Sequence, residues 1–211
     1  SVLQGHLFLS LRLCDESQPV VEILKKWLDL FCAIGIQQAV LHCDGMYDSN
    51  LTLCEKREKN AAVLCQLTDY LKDKELVICL ENLPRFCQNA EELLWYIDTI
   101  GSDHLGICLD TGHLNLTQYR DQPAFIRKAG EHLKALHIAD NEGERDQHMM
   151  PFGRGNVDIE AVVAALAEIG YNNLINLEIP GERDCPLEVR GYKLQYIKQV
   201  FNYLSKKVMK H

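Results

Sequence analysis

Six short apolar runs, at residues 7–13, 38–41, 76–80, 105–109, 133–136 and 174–177, recur along the chain, each bounded by polar or turn residues. Runs this short and this continuously apolar read as strands buried on both faces, as in parallel sheets. Between them lie stretches of helical periodicity. Val20, Ile23, Leu24, Trp27, Leu28 and Phe31 repeat at three- and four-residue spacing up to Gly35, where glycine supplies a C-terminal stop. Asn89 is placed to cap a helix carrying Leu93, Leu94, Ile97 and Ile100 to Gly101, and Asp158 one carrying Ile159, Val162, Val163, Leu166 and Ile169 to Gly170. A last helix is expected over residues 189–208.

Six strands, each followed by a helix and with no linker between units, predict a single α/β domain over residues 1–211. The polar residue after each run decides between an open sheet and a closed one. His42, Glu81, Asp110, His137 and Glu178 each come directly after an apolar strand, and the C-terminal ends of barrel strands converge on one pocket. An open doubly wound sheet would carry a glycine-rich phosphate turn after its first strand, and no GxGxxG is present. The expected fold is therefore a TIM (β/α)8-type barrel. Eight units normally take about 250 residues, so six units in 211 residues leave the barrel short.

Composition narrows the partners. Thirty acidic against 22 basic side chains give a formal charge of -8, the wrong sign for a surface that gathers nucleic-acid phosphates. No apolar run approaches the roughly 18 to 20 residues that span a bilayer, and the start lacks a basic region followed by an apolar stretch. The chain reads as cytoplasmic, without membrane contact. Nine cysteines, an odd number with no CxxC pair, are a reduced intracellular pattern, and most read as small buried hydrophobes. The sequon at Asn115-Leu116-Thr117 is then a chance match.

The residues at the strand ends carry the candidate chemistry. Any one of them alone reads equally well as a helix cap or a polar loop residue. Together, Glu81, Asp110 and Glu178 would repel one another in a partly dry cavity unless a divalent cation compensated them, and His137 adds a nitrogen donor. Three oxygens and one nitrogen suit one ion of Mn²⁺, Mg²⁺, Co²⁺ or Zn²⁺, with coordination positions left for a substrate. Arg145 and Arg154, in the long loop after the His137 run, are candidate holders of a substrate hydroxyl or phosphate, with a surface salt bridge as the alternative. Gly153 and Gly155 either let the backbone approach a ligand or form a turn. Asn82 either orients Glu81 or touches substrate. His6, His104, His132 and His211 receive no assignment.

Five segments together resemble the xylose isomerase-like TIM barrels, a family of sugar and sugar-phosphate isomerases and epimerases that also includes the endonuclease IV group. They are Cys79-Leu80-Glu81-Asn82, then Gly106 to His113 ending in Asp110-Thr111-Gly112-His113, then Leu136-His137-Ile138-Ala139-Asp140, Gly153-Arg154-Gly155, and Asn176-Leu177-Glu178. The resemblance covers nearly the whole chain. It implies that Glu81, Asp110, His137 and Glu178 are the metal ligands and His113 the substrate-contacting histidine. It further implies a metal-dependent isomerase or epimerase of carbohydrate metabolism, acting on a ketose sugar or sugar phosphate. Glu81 and Glu178 would then be the acid/base pair, one removing the proton next to the carbonyl and the other returning it.

The endonuclease IV branch offers a second reading, a zinc phosphodiesterase. His148, two residues after Asp146, is similar in spacing to additional zinc ligands of that branch, and His42 matches a position used there. Set against it are the acidic charge, His42-Cys43-Asp44 where a His-Pro pair is expected, and Gly112 in place of the nuclease pattern. In the sugar reading, His42 and His148 become substrate-binding groups. A third reading is a barrel that binds a sugar or a protein without turnover. Setting the Asp110 and His137 segments on the sixth and seventh strands, as in the family, makes the run at 7–13 the third strand. The first two units then have no counterpart; for a chain short by nature, rather than truncated or processed, a second copy is the expected cover for the open edge.

Overall fold

A buried parallel strand sends alternate side chains to opposite faces, and here that alternation sorts the chain into two environments. Ala39, Leu41, Ile78, Leu80, Ile107, Leu109 and Leu136 join the large core shared with the helices. Their neighbours Val40, Cys79, Cys108 and Ala135 form a separate, smaller cluster on the other face. Two residues beyond each member of that inner cluster stand His42, Glu81, Asp110 and His137. The inner face is thus a floor of small apolar groups with a polar layer above it.

The computed structural model describes residues 3–7, 9–45, 50–180 and 184–208. Its sheet holds five parallel strands in sequence order: β1 (Gln4–His6), β2 (Gln38–Leu41), β3 (Val77–Glu81), β4 (Leu105–Asp110) and β5 (Leu133–His137). The helices are α1 (Val20–Ile34), α2 (Leu53–Tyr70), α3 (Ala90–Ile100), α4 (Thr111–Thr117), α5 (Gln122–Ala129), α6 (Ile159–Glu168) and α7 (Leu187–Val208). The sheet curls into a partial barrel, as expected. Gly35 and Gly101 end α1 and α3 in the left-handed conformation, with φ of 80° and 61°. Asn89 and Asp158 cap α3 and α6 through bonds from Glu92 N and Ala161 N. A capping box of Thr52 and Glu55 opens α2.

Two strand expectations need correction. The first strand is Gln4–His6, not the run at 7–13. Leu7 and Leu13 are buried, but they enter the core from a loop, and Phe8 lies outside the described residues. Gly5 explains the placement: a Cβ there would lie 2.8 Å from Ile36 and 3.0 Å from Phe31, so the strand packs its backbone directly on α1. The run at 174–177 is not a member of the five-stranded sheet. It touches the segment after β5 through one parallel bridge, Ile138 with Leu177, closed by Ile138 N to Asn176 O and Glu178 N to Ile138 O. Four of the nine free cysteines are buried, Cys43, Cys79, Cys87 and Cys108, fewer than the majority expected.

Among the described residues, no helix is long and apolar enough to cross a membrane. Leu80, with no exposed surface, sits on the helix-facing side of the sheet. Leu80→Ala is expected to lower unfolding free energy by about 2–5 kcal/mol, read as a fall in the urea midpoint with little change in slope.

Candidate metal centre

Each strand of the sheet delivers its polar side chain at its C-terminal end, so the residues His6, His42, Glu81, Asp110 and His137 meet above the inner floor, and Glu178 joins them through its bridge to Ile138. Glu81 stands at the centre. Its Oε2 is 3.2 Å from His6 Nε2 and 2.9 Å from His42 Nε2, while its Oε1 is 3.2 Å from His113 Nδ1 and 3.3 Å from His137 Nδ1. Burial alone would raise this carboxyl, but the four imidazoles hold it well below the usual range. Donor atoms of Glu81, Asp110, His137 and Glu178 all lie within 4.8 Å of one another, and so do those of His6, His42 and Glu81. Glu81 belongs to both groups.

The first group fits a cation on a structural criterion. Asp110 Oδ2, His137 Nδ1 and Glu178 Oε2 are buried atoms without a hydrogen-bond partner. His137 Nδ1 and Glu178 Oε2 approach to 2.7 Å, but without the alignment of a hydrogen bond. Buried polar atoms are rarely left unsatisfied; three in one cluster, two of them carboxylate oxygens, mark a place for a positive charge. Burial, together with the charge of Glu81, pushes Asp110 up to about 7 against the pull of His113. His137 is raised far above the ordinary imidazole range: burial opposes its charge, but the Cys108 thiol, Glu178 and Glu81 outweigh burial. A protonated His137 thus offsets part of the carboxylate charge in the metal-free protein.

The Asp110–His113 and His137–Asp140 segments interlock, which explains why they occur together. Asp110 caps α4 by accepting from His113 N at 2.7 Å. Thr111 Oγ1 donates to Ala139 O at 2.6 Å and accepts from Ala139 N at 3.0 Å. Asn141 Nδ2 donates to Gly112 O at 2.8 Å, and a Cβ on Gly112 would meet that nitrogen at 3.0 Å. Asn82 is committed to the same frame: its amide donates to Asp110 O at 3.0 Å and accepts from Asp110 N at 2.7 Å, and its carbonyl takes His113 Nδ1 at 3.0 Å. It positions Asp110 and His113 through the backbone.

A second layer of polar groups lies at the rim. Asp146 Oδ2 is 3.3 Å from His113 Nε2 and 2.9 Å from His148 Nε2, and the Asp146 and Glu81 carboxylates raise His113 to about 11 despite its burial. His148 holds this place with φ at 46°, a strained conformation for a non-glycine residue. Of the two arginines in this loop, Arg154 pairs with Glu142 at 3.4 Å and Arg145 is exposed. Gly155 serves the protein's own chain, since a Cβ there would fall 2.1 Å from Asp140 Oδ1. His6 is the functional candidate that the sequence reading passed over. His104 bonds Leu76 O away from the cluster, and His211 lies outside the described residues.

Comparison with known proteins follows the same lines. The uncharacterized protein y4fM of Sinorhizobium fredii is 31% identical over 176 residues, 80% of this chain and 55% of that protein. An L-ribulose 3-epimerase of a Methylomonas species is 30% identical over 164 residues, 74% of this chain and 54% of that enzyme. Proteins named probable endonuclease 4, from Mycoplasmopsis synoviae and Metamycoplasma arthritidis, match at 28% and 26% identity. Among solved structures, a Methylomonas D-allulose 3-epimerase in complex with D-allulose superposes with a TM-score of 0.73 at 25% identity, covering 93% of this chain and 75% of that one. The chain spans about half the length of the curated relatives it matches. The xylose isomerase-like TIM barrel model matches residues 3–204. With that match over nearly its whole length, and with clustered donors at the C-terminal ends of parallel strands, the chain belongs to the xylose isomerase-like TIM barrel family.

Proposed function

We propose that this protein is a divalent-metal-dependent epimerase or isomerase of a ketose sugar or sugar phosphate. The carrying observation is the group of Glu81, Asp110, His137 and Glu178, whose donor atoms converge within 4.8 Å and three of which, those of Asp110, His137 and Glu178, are buried without a hydrogen-bond partner. These four side chains would hold one ion of Mn²⁺, Mg²⁺, Co²⁺ or Zn²⁺. Such an ion supplies Lewis-acid polarisation of a carbonyl, which makes the neighbouring C–H bond acidic. Glu81 reaches the cluster from β3 and Glu178 from the segment bridged to Ile138, and this supports a two-base scheme in which one takes the proton and the other returns it to the opposite face. His113, whose Nδ1 faces Asn82 O and whose Nε2 faces Asp146, would exchange its Asp146 contact for a substrate oxygen that gains negative charge and donate to it through Nε2. Ketose 3-epimerases among the relatives support the substrate class.

The test is exchange in deuterated water. Wild-type protein with its metal is expected to exchange the reacting C–H of a ketose such as D-fructose or D-allulose for deuterium, by mass spectrometry or proton NMR. Glu178→Gln is expected to slow that exchange by about 10²–10⁴-fold. An unchanged rate in the variant removes the two-glutamate scheme.

A second reading, a multi-zinc phosphodiesterase, is favoured by a specific observation: His6, His42 and Glu81 form a further donor group sharing Glu81. Asp146 held between His113 and His148 adds to it. Metal content separates the two readings. About one ion per chain supports the epimerase, whereas two or three zinc ions, together with cleavage of a duplex carrying an abasic site, support the phosphodiesterase.

A further inference from the structure

Outside the metal cluster, a cavity of about 390 Å³ lies between the start of α2, the loop after β3 and the first half of α3. None of the clustered metal-ligating side chains lines it. Its rim carries two guanidiniums, Arg57 and Arg85. In a chain with 30 acidic side chains, arginines normally find a carboxylate, yet neither makes an ion pair among the described residues. Arg57 instead lies 4.0 Å over the Trp95 ring, which holds its planar fork in place. The one carboxylate in the lining, Glu92, is already occupied, accepting from Gln88 N at 3.0 Å and from Asn89 Nδ2 at 3.1 Å.

The floor points the same way. Tyr96 is only 1% exposed, and its hydroxyl has no nitrogen or oxygen partner, only the Cys43 thiol beside it. A buried phenol without a proper acceptor is costly unless something completes it. Arg57 is near enough for its charge to act on both Tyr96 and Cys87. Cys87 turns the wall with φ at 57°, a conformation that a β-carbon disfavours, and its carbonyl accepts from Leu83 N. Leu53 and Phe86 supply an apolar side.

We propose that this cavity binds a small organic oxyanion, with the charged head on Arg57, Arg85 and the Tyr96 hydroxyl and an apolar stem against Leu53 and Phe86. Planar guanidiniums match the paired oxygens of phosphate and carboxylate heads alike, so both head groups belong in the test. The site is separate from the metal cluster and does not depend on how that cluster is read.

The experiment titrates the full chain with hexyl phosphate, hexanoate and inorganic phosphate by calorimetry. Saturable binding of hexyl phosphate or hexanoate, tighter than that of inorganic phosphate, is expected, and the tighter of the two identifies the head. Arg57→Leu and Arg85→Leu should each weaken it by about 10- to 100-fold, as expected for a hydrogen bond to a charged group. Location is read independently from Cys54, an exposed thiol on the rim: the ligand should slow its alkylation by iodoacetamide. Unchanged melting temperatures of the free variants show that they are folded. No saturable binding of either stemmed ligand, or binding that both arginine variants leave unchanged, overturns the proposal.

Discussion

Replacing Glu81 by glutamine is expected to lower divalent-metal affinity by at least about 100-fold and to abolish turnover. Outer-shell partners of metal ligands already cost 10–100-fold when removed, and Glu81 is no outer-shell group. It is the one side chain common to both donor groups, with one carboxylate oxygen facing His6 and His42 and the other facing His113 and His137. Glutamine keeps the shape but offers one carbonyl oxygen and no charge, so it weakens both groups at once. Glu178→Gln, by contrast, leaves His6, His42 and Glu81 intact and should reduce metal content less. Elemental analysis after identical handling makes the comparison, with circular dichroism to show that Glu81→Gln folds. Wild-type metal content in Glu81→Gln would remove Glu81 from the ligand set and both functional readings with it.

How much of this was legible in the sequence depends on how far each residue's environment is set by its own strand. Glu81, Asp110 and His137 end strands of five or six residues, long enough for the apolar run to announce them. His6 ends a strand of three partly buried residues, Gln4, Gly5 and His6, with almost no apolar signal. The richer run at 7–13 draws the eye because Leu7 and Leu13 are buried, yet Leu7 lies one residue past the end of β1, bonding Val40 O, and Leu13 sits in a turn. The position of β1 is fixed by a tertiary fact, the clearance that Gly5 gives to Phe31 and Ile36. Likewise, the glycine pair around Arg154 reads as a candidate ligand approach, while the structure uses Gly155 to clear the Asp140 carboxylate. The two-residue alternation that separates the floor of Val40, Cys79, Cys108 and Ala135 from the core was hidden because both faces are apolar. Only the polar residues at the strand ends mark the phase: counting back two from His42, Glu81, Asp110 and His137 recovers the floor.

Metal affinity is expected to rise steeply with pH, and the metal-free electrostatics give the slope. A histidine ligand must be neutral to donate its lone pair. In the metal-free protein His137 stays protonated through the neutral range, because Glu178 and Glu81 face it and the Cys108 thiol, itself pushed up to about 12 by burial, contributes in the same direction. Loading therefore displaces a proton from His137, and affinity should rise about tenfold per pH unit above pH 7. Below about 7 the Asp110 carboxyl, raised by burial, is protonated as well and must also ionise. A second proton is then released, and the dependence should steepen to about a hundredfold per unit. The sign follows from the direction of both shifts: each group binds its proton more tightly in the metal-free fold than in the loaded one, so protons compete with the ion. Calorimetric titration with Mn²⁺ or Zn²⁺ at pH 6, 7 and 8, repeated in buffers of different ionisation enthalpy, counts the protons directly. Asp110→Asn should flatten the acid limb at the cost of weaker binding. A pH-independent affinity in the wild type would mean that His137 is neutral before the ion arrives.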